Sequence, residues 1–124
     1  MSDKEDALTK IYDLMLWLFP QIGKFPKTYR FILGDRIENL MLDICEKLIE
    51  ARFTKDKARI LSSANIRLEK LRYLARLSKD LKLINVKKYE YMSREINQIG
   101  VYVGGWLKKV KGWKATDETS GQSV

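Results

Sequence analysis

Apolar residues in this 124-residue chain recur three and four positions apart in four separate runs, a period that fits amphipathic helices packed on one another and little else. Leu8, Ile11, Met15, Leu18 and Ile22 form the first run, on a helix from about Asp6 to about Gln21 with Pro20 close to its end. Gly23-Lys24-Phe25-Pro26 then breaks the pattern, because Gly frees the backbone and Pro26 disfavours helix at Phe25 while suiting the first turn of a new one. From about Lys27 to Ala51, the positions Leu33, Ile37, Leu40, Met41, Ile44, Leu48 and Ala51 cover a face broad enough for two neighbours, on a helix that tolerates Gly34. Thr54-Lys55-Asp56 offers a polar cap to a third helix, whose stripe Leu61, Ala64, Leu68, Leu71, Ala75 and Ser78 runs to about Leu81. Leu83-Ile84-Asn85-Val86 reads as a short connection with Asn85 as a cap, before Tyr89, Met92, Ile96, Ile99, Val103, Trp106 and Val110 mark a fourth helix.

Four such helices joined by short loops predict an all-α fold, an antiparallel up-down-up-down four-helix bundle. A hydrophobic content of 45% is enough for one core at this length, and 32% charged residues with only two prolines favour helix over strand or disorder. The expected organisation is one bundle domain over residues 1–114, followed by a Ser-, Thr- and Gly-containing tail, 115–124, that is expected to be disordered.

Several function classes look closed. No run approaches the ~18–20 consecutive apolar residues of a membrane crossing. The acidic start Met1-Ser2-Asp3-Lys4-Glu5-Asp6 is unlike the cationic head of a signal peptide, so a cytoplasmic protein is expected. The chain has no histidine, hence no imidazole base, no Ser-His or Cys-His nucleophile, and no Arg-to-His pair of the kind seen in HEPN-like helical nucleases. Carboxylate pairs such as Glu46 with Glu50 and Asp35 with Glu38 are what helix surfaces produce by chance. The single Cys45, set among Met41, Leu42, Ile44, Leu48 and Ile49, reads as a small buried hydrophobe rather than a reactive thiol. No metal site, cofactor or small-molecule substrate is implied, and the expectation is a protein without catalysis of its own.

Charge is the feature left over. The net +8 attracts polyanions or an anionic membrane surface, and it is unevenly spread. Residues 1–22 carry two basic and four acidic groups and residues 23–51 five of each, whereas 52–84 carry ten basic against three acidic and 85–114 seven against two. In the third helix Asn65, Glu69, Arg72, Arg76 and Lys79 repeat the helical spacing beside the core stripe, making a cationic ridge. Cations one turn apart, ~5.4 Å, can follow a phosphate chain. Arg67 and Lys70 add charge on other flanks and Lys82 just beyond the helix end. The alternative is an ordinary solvated face, with Glu69 pairing Arg72 or Arg76.

Tyr73 shares an outer row of the third helix with Ile66, Leu77 and Lys70, too apolar for a simple water-facing surface and suggestive of contact with another protein, most simply a second copy. Gly100, Gly104 and Gly105 follow no strand, so they suit close helix approach rather than a phosphate loop. Lys108, Lys109, Lys111 and Lys114 around Trp113 either complement the helix dipole or clamp a polyanion.

The strings Tyr12-Asp13-Leu14-Met15 to Phe19-Pro20, Phe25-Pro26-Lys27 to Leu33-Gly34-Asp35-Arg36-Ile37-Glu38, Lys70-Leu71-Arg72-Tyr73-Leu74-Ala75-Arg76-Leu77, and Gly100 to Gly104-Gly105-Trp106-Leu107 together resemble the accessory variability determinant (Avd) of diversity-generating retroelements. That superfamily also includes four-helix proteins encoded in intervening sequences of 23S ribosomal RNA genes. The resemblance spans Tyr12 to Lys111. It implies a four-helix bundle that assembles as a barrel-shaped homopentamer, associates with a reverse transcriptase and its template RNA, and supports mutagenic copying. It also implies Arg72 and Arg76 as nucleic-acid-binding residues, to which the ridge adds Lys79. On helix four the chain departs from the pattern, with Val101 where many relatives carry a basic residue.

Overall fold

The computed structural model describes the backbone of residues 3–122 and the side chains of residues 6–112. Helix α1 is Asp3–Ile22. Helix α2 is built of three continuous segments, Lys27–Tyr29, a π-helical turn Arg30–Gly34, and Asp35–Phe53. Helix α3 is Lys57–Asp80 and α4 is Val86–Gln122. Among the described residues there is no strand. The expected disordered tail, 115–124, lies outside the residues whose side chains are described.

Packing runs α1 on α2, α2 on α3, α3 on α4 and α4 back on α1, so the four helices form a closed ring with α1 and α3 diagonal to each other. The periodic positions supply the centre. Ile11, Met15, Leu18 and Ile22 of α1, Ile37, Met41, Ile44 and Leu48 of α2, the whole α3 stripe, and Met92, Ile96, Ile99, Val103 and Trp106 of α4 are buried in one cluster. Each large aliphatic side chain in it contributes about 1.5–3 kcal/mol of burial. Ser78, the one buried polar side chain among the described residues, is satisfied by donating to the Leu74 carbonyl at 2.8 Å. Polar ties close the α1–α4 seam, where Lys10 reaches Glu95 at 3.0 Å and Lys88 reaches Gln21 at 2.8 Å.

The turns differ from their sequence reading in instructive ways. Asp56 occupies the cap position of α3 but makes no side-chain capping bond, and its carboxylate pairs with Arg59 instead. Lys57 reaches back to the carbonyls of Ala51 and Thr54, at 2.7 and 2.9 Å, and so closes the C-terminal end of α2. Asn85 does cap α4, its Oδ1 accepting from the Lys88 amide at 2.8 Å. At the end of α3 the Leu83 amide donates to Ser78 O at 2.8 Å and the Lys82 amide to Lys79 O at 2.9 Å, the bond pair of a Schellman motif. The left-handed residue that this motif demands is Lys82, with φ 62°, and not glycine.

Gly34 is more than tolerated. A Cβ there would meet Ile22 Cγ2 at 2.6 Å, so glycine is what lets the end of α1 seat against the π turn of α2. Cys45 is half-buried rather than buried, and its thiol is pushed above the ordinary cysteine range by burial first and by Glu46 second. No described helix is long and apolar enough to cross a membrane.

Candidate nucleic-acid interface

Helix α3 advances about 100° per residue, and that rotation sorts the candidate residues into three groups. Arg72, Arg76 and Lys79 lie on the side turned to α4, Ile66, Tyr73 and Leu77 point away from the core with Lys70 beside them, and Arg67 lies on the α2 side. Arg67 is tied within its own helix, donating to Ser63 O at 3.3 Å and, by a short contact, to Ser63 Oγ.

The α3–α4 seam is a built surface rather than a bare cationic ridge. Arg72 is half-buried across it, its Nε donating to Asn97 Oδ1 at 3.0 Å and its Nη1 to Glu69 Oε2 at 2.7 Å. Gly100 is the reason that the guanidinium fits, since a Cβ there would lie 2.8 Å from Nη2. This corrects the reading of Gly100 and Gly104 as points of close helix approach. Gly100 accommodates a side-chain tip, and a Cβ on Gly104 would meet nothing within 4 Å.

Further along the seam Arg76 stands 3.8 Å from Asp80, a loose pairing, while Lys79 lies 3.5 Å from Asp80 and 4.7 Å from the Tyr89 ring centroid. Lys82 is exposed and makes no ion pair among the described residues. With Lys79 and Lys88 it lines an open cleft of about 740 Å³ at the α3–α4 turn, floored by Leu83, Ile84 and Asn85. The candidate cations along the seam thus fall into two half-buried and tied ones, Arg72 and Lys79, and two exposed ones, Arg76 and Lys82, leading down to the turn.

Ile66, Tyr73 and Leu77 are all exposed, as the outer-row reading has it. Asn97, which completes the seam, and Lys88, which lines the turn cleft, escaped the sequence reading because both sit on α4, whose register against α3 no spacing rule supplies. Trp17 packs on Tyr91 with ring centroids 4.6 Å apart and Trp106 is buried, so neither offers a face to a base. Trp113 and Lys114 lie outside the residues whose side chains are described.

A second apolar surface was also missed. Tyr12, Met15, Leu16, Phe19 and Pro20 of α1 line, with Leu42 of α2, an open groove of about 380 Å³ that is almost free of polar atoms. Its signal was present in the 4 and 3 spacing of Tyr12, Leu16 and Phe19, one row over from the core stripe.

Fold and surface together define an all-α, four-helix bundle protein with a cation-lined seam between its last two helices. A family model described as bAvd-like matches residues 7–110, and the chain belongs to that family. No curated protein matches the chain.

Proposed function

We propose that this protein is a non-catalytic accessory subunit of a diversity-generating retroelement. It binds template RNA through the α3–α4 seam and the turn that closes it, and as a homopentamer it holds that RNA to the reverse transcriptase during mutagenic copying. Membership of the bAvd-like family supports the general class. The observation that supports the RNA assignment is the pair of exposed cations Arg76 and Lys82 beside the α3–α4 turn, joined in the turn cleft by the half-buried Lys79 and Lys88, with Asp80 the one carboxylate that lines it. Contacts of this kind read phosphate and not base, so affinity should be insensitive to sequence and fall steeply with salt. The protein acts in the cytoplasm, contributing electrostatic affinity and geometry and no chemistry.

The test is RNA binding by the whole protein at several salt concentrations. Replacing Arg76 and Lys82 together by Ala should weaken binding and lower the salt slope by about 1 per lost contact, with helicity unchanged. Binding that is indifferent to this change and to salt would remove the assignment. In that case the exposed row Ile66, Tyr73, Leu77 would favour a purely structural oligomer like the 23S ribosomal RNA intervening-sequence proteins.

A further inference from the structure

Two of the exposed apolar surfaces among the described residues lie on different sides of the ring and are bordered by charge of opposite sign. The α1–α2 groove is one. Its α2 residue, Leu42, is flanked one turn before and one turn after by Glu38 and Glu46, with Asp35 a further turn away. None of these three carboxylates makes an ion pair among the described residues. Burial, and then the neighbouring Asp35, raises the Glu38 carboxyl above the usual glutamate range, as expected of an acid that lacks a cation.

The α3 row is the other. Lys70 stands between Ile66 and Tyr73 and has no ion pair among the described residues, whereas the acidic neighbours Glu69 and Asp80 are taken up by Arg72 and by Arg76 with Lys79. The border of the row is therefore cationic.

We infer that the α3 row of one copy, Ile66, Tyr73 and Leu77, seats in the α1–α2 groove of a second copy, with Lys70 meeting Glu38 and Glu46. The contact is head-to-tail. A symmetric pairing of groove with groove would bring carboxylates onto carboxylates, and one of row with row would bring Lys70 onto Lys70, whereas groove with row satisfies both. Because α1 and α3 are diagonal in the ring, one copy cannot cover its own groove with its own row. A copy whose row is seated still offers its groove, and the copy that receives it still offers its row, so the contact can repeat around a closed assembly. Lys70 on this assignment serves contact between copies, leaving the seam to RNA. The inference rests on the self-assembly in the function proposed above and names the surfaces that produce it.

Two charge insertions at exposed positions test it, Leu16→Glu in the groove and Tyr73→Glu in the row, read by solution mass and by far-ultraviolet circular dichroism. The wild-type chain should assemble, and each variant alone should keep its helicity and fall to the 14.6 kDa single chain. An equimolar mixture of the two variants should give a species of twice that mass and nothing larger, because only the intact row of the Leu16→Glu chain and the intact groove of the Tyr73→Glu chain can meet. If the wild type assembles while either variant retains its mass, or while the mixture yields no dimer, this contact is overturned and self-assembly stands. A wild type that is itself a single chain in dilute buffer overturns both.

Discussion

The Nη2 atom of Arg72 lies where a side chain on residue 100 would begin, 2.8 Å from a Cβ built on Gly100. Glycine at this point of α4 lets a guanidinium on α3 lie flat across the seam and reach Asn97. Gly100→Ala should therefore dislodge the guanidinium without disturbing the core. Loss of the Asn97 bond, about 0.5–1.5 kcal/mol, is set against the ~1 kcal/mol by which Ala is the better helix former. Thermal unfolding should show a stability change of less than about 1 kcal/mol. Asn97→Ala, which breaks the same bond without the helical gain, should be the more destabilising of the two.

Lys82 holds a backbone conformation that suits glycine, and holds it beside the turn cleft. Lys82→Gly should stabilise the protein by about 0.5–1 kcal/mol in a denaturant titration, by removing left-handed strain at the C-terminal end of α3. The same change should weaken RNA binding by one phosphate contact. Opposite signs in the two assays would mean that the cation is kept at a cost in stability, whereas loss of stability would show that the Lys82 side chain supports the turn.

Gly34 presents the reverse case to Gly100. Its neighbour is the buried Ile22 methyl at 2.6 Å, fixed in the core and not at the tip of a flexible side chain. Overpacking there should outweigh the gain in helix propensity, so Gly34→Ala should destabilise by about 1–3 kcal/mol. A neutral or stabilising result in the melting curve would mean that the α1–α2 corner relaxes freely.

Glu38 gives the pH dependence its sign. Its carboxyl is raised above the ordinary 4.5, by burial first and Asp35 second, so the folded state holds that proton more tightly than the unfolded chain does. Stability from this group is greatest below pH 4.5 and falls as pH rises from there through the raised folded value. Glu38→Gln should accordingly raise the Tm of the unassembled protein at pH 7 and leave it unchanged at pH 4, a contrast that melting at the two values checks.

The Lys10–Glu95 bridge runs the other way. The Lys10 ammonium is raised by its hydrogen bond to Glu95, partly opposed by desolvation, so its contribution is complete below the ordinary lysine value and lost as pH climbs through the higher folded one. Lys10→Met should cost no more than about 1 kcal/mol at pH 7, the scale of a partly exposed ion pair, and progressively less in strongly alkaline buffer.

Periodicity alone determined that the chain makes four helices, that most of the stripe residues fill their common core, and that the excess of cations falls on the last two, although Leu8, Leu40, Tyr89 and Val110 are only half-buried and Leu14 and Ile60 are buried from outside the stripes. These properties are local, because spacing along one helix fixes which side chains share a face. The candidate surface was legible only to that extent. Arg72, Arg76 and Lys79 read as equivalent members of one ridge, but the register of α3 against α4 ties Arg72 to Asn97 over Gly100 and leaves Lys82 at the rim of the turn cleft. Nor did spacing reveal that Gly34 is required by Ile22, or that Tyr12, Leu16 and Leu42 make one groove, because each depends on atoms from two helices meeting across a seam. Tertiary structure decided those pairings, since the distance between two helices is set by the side chains of both and is written in neither one.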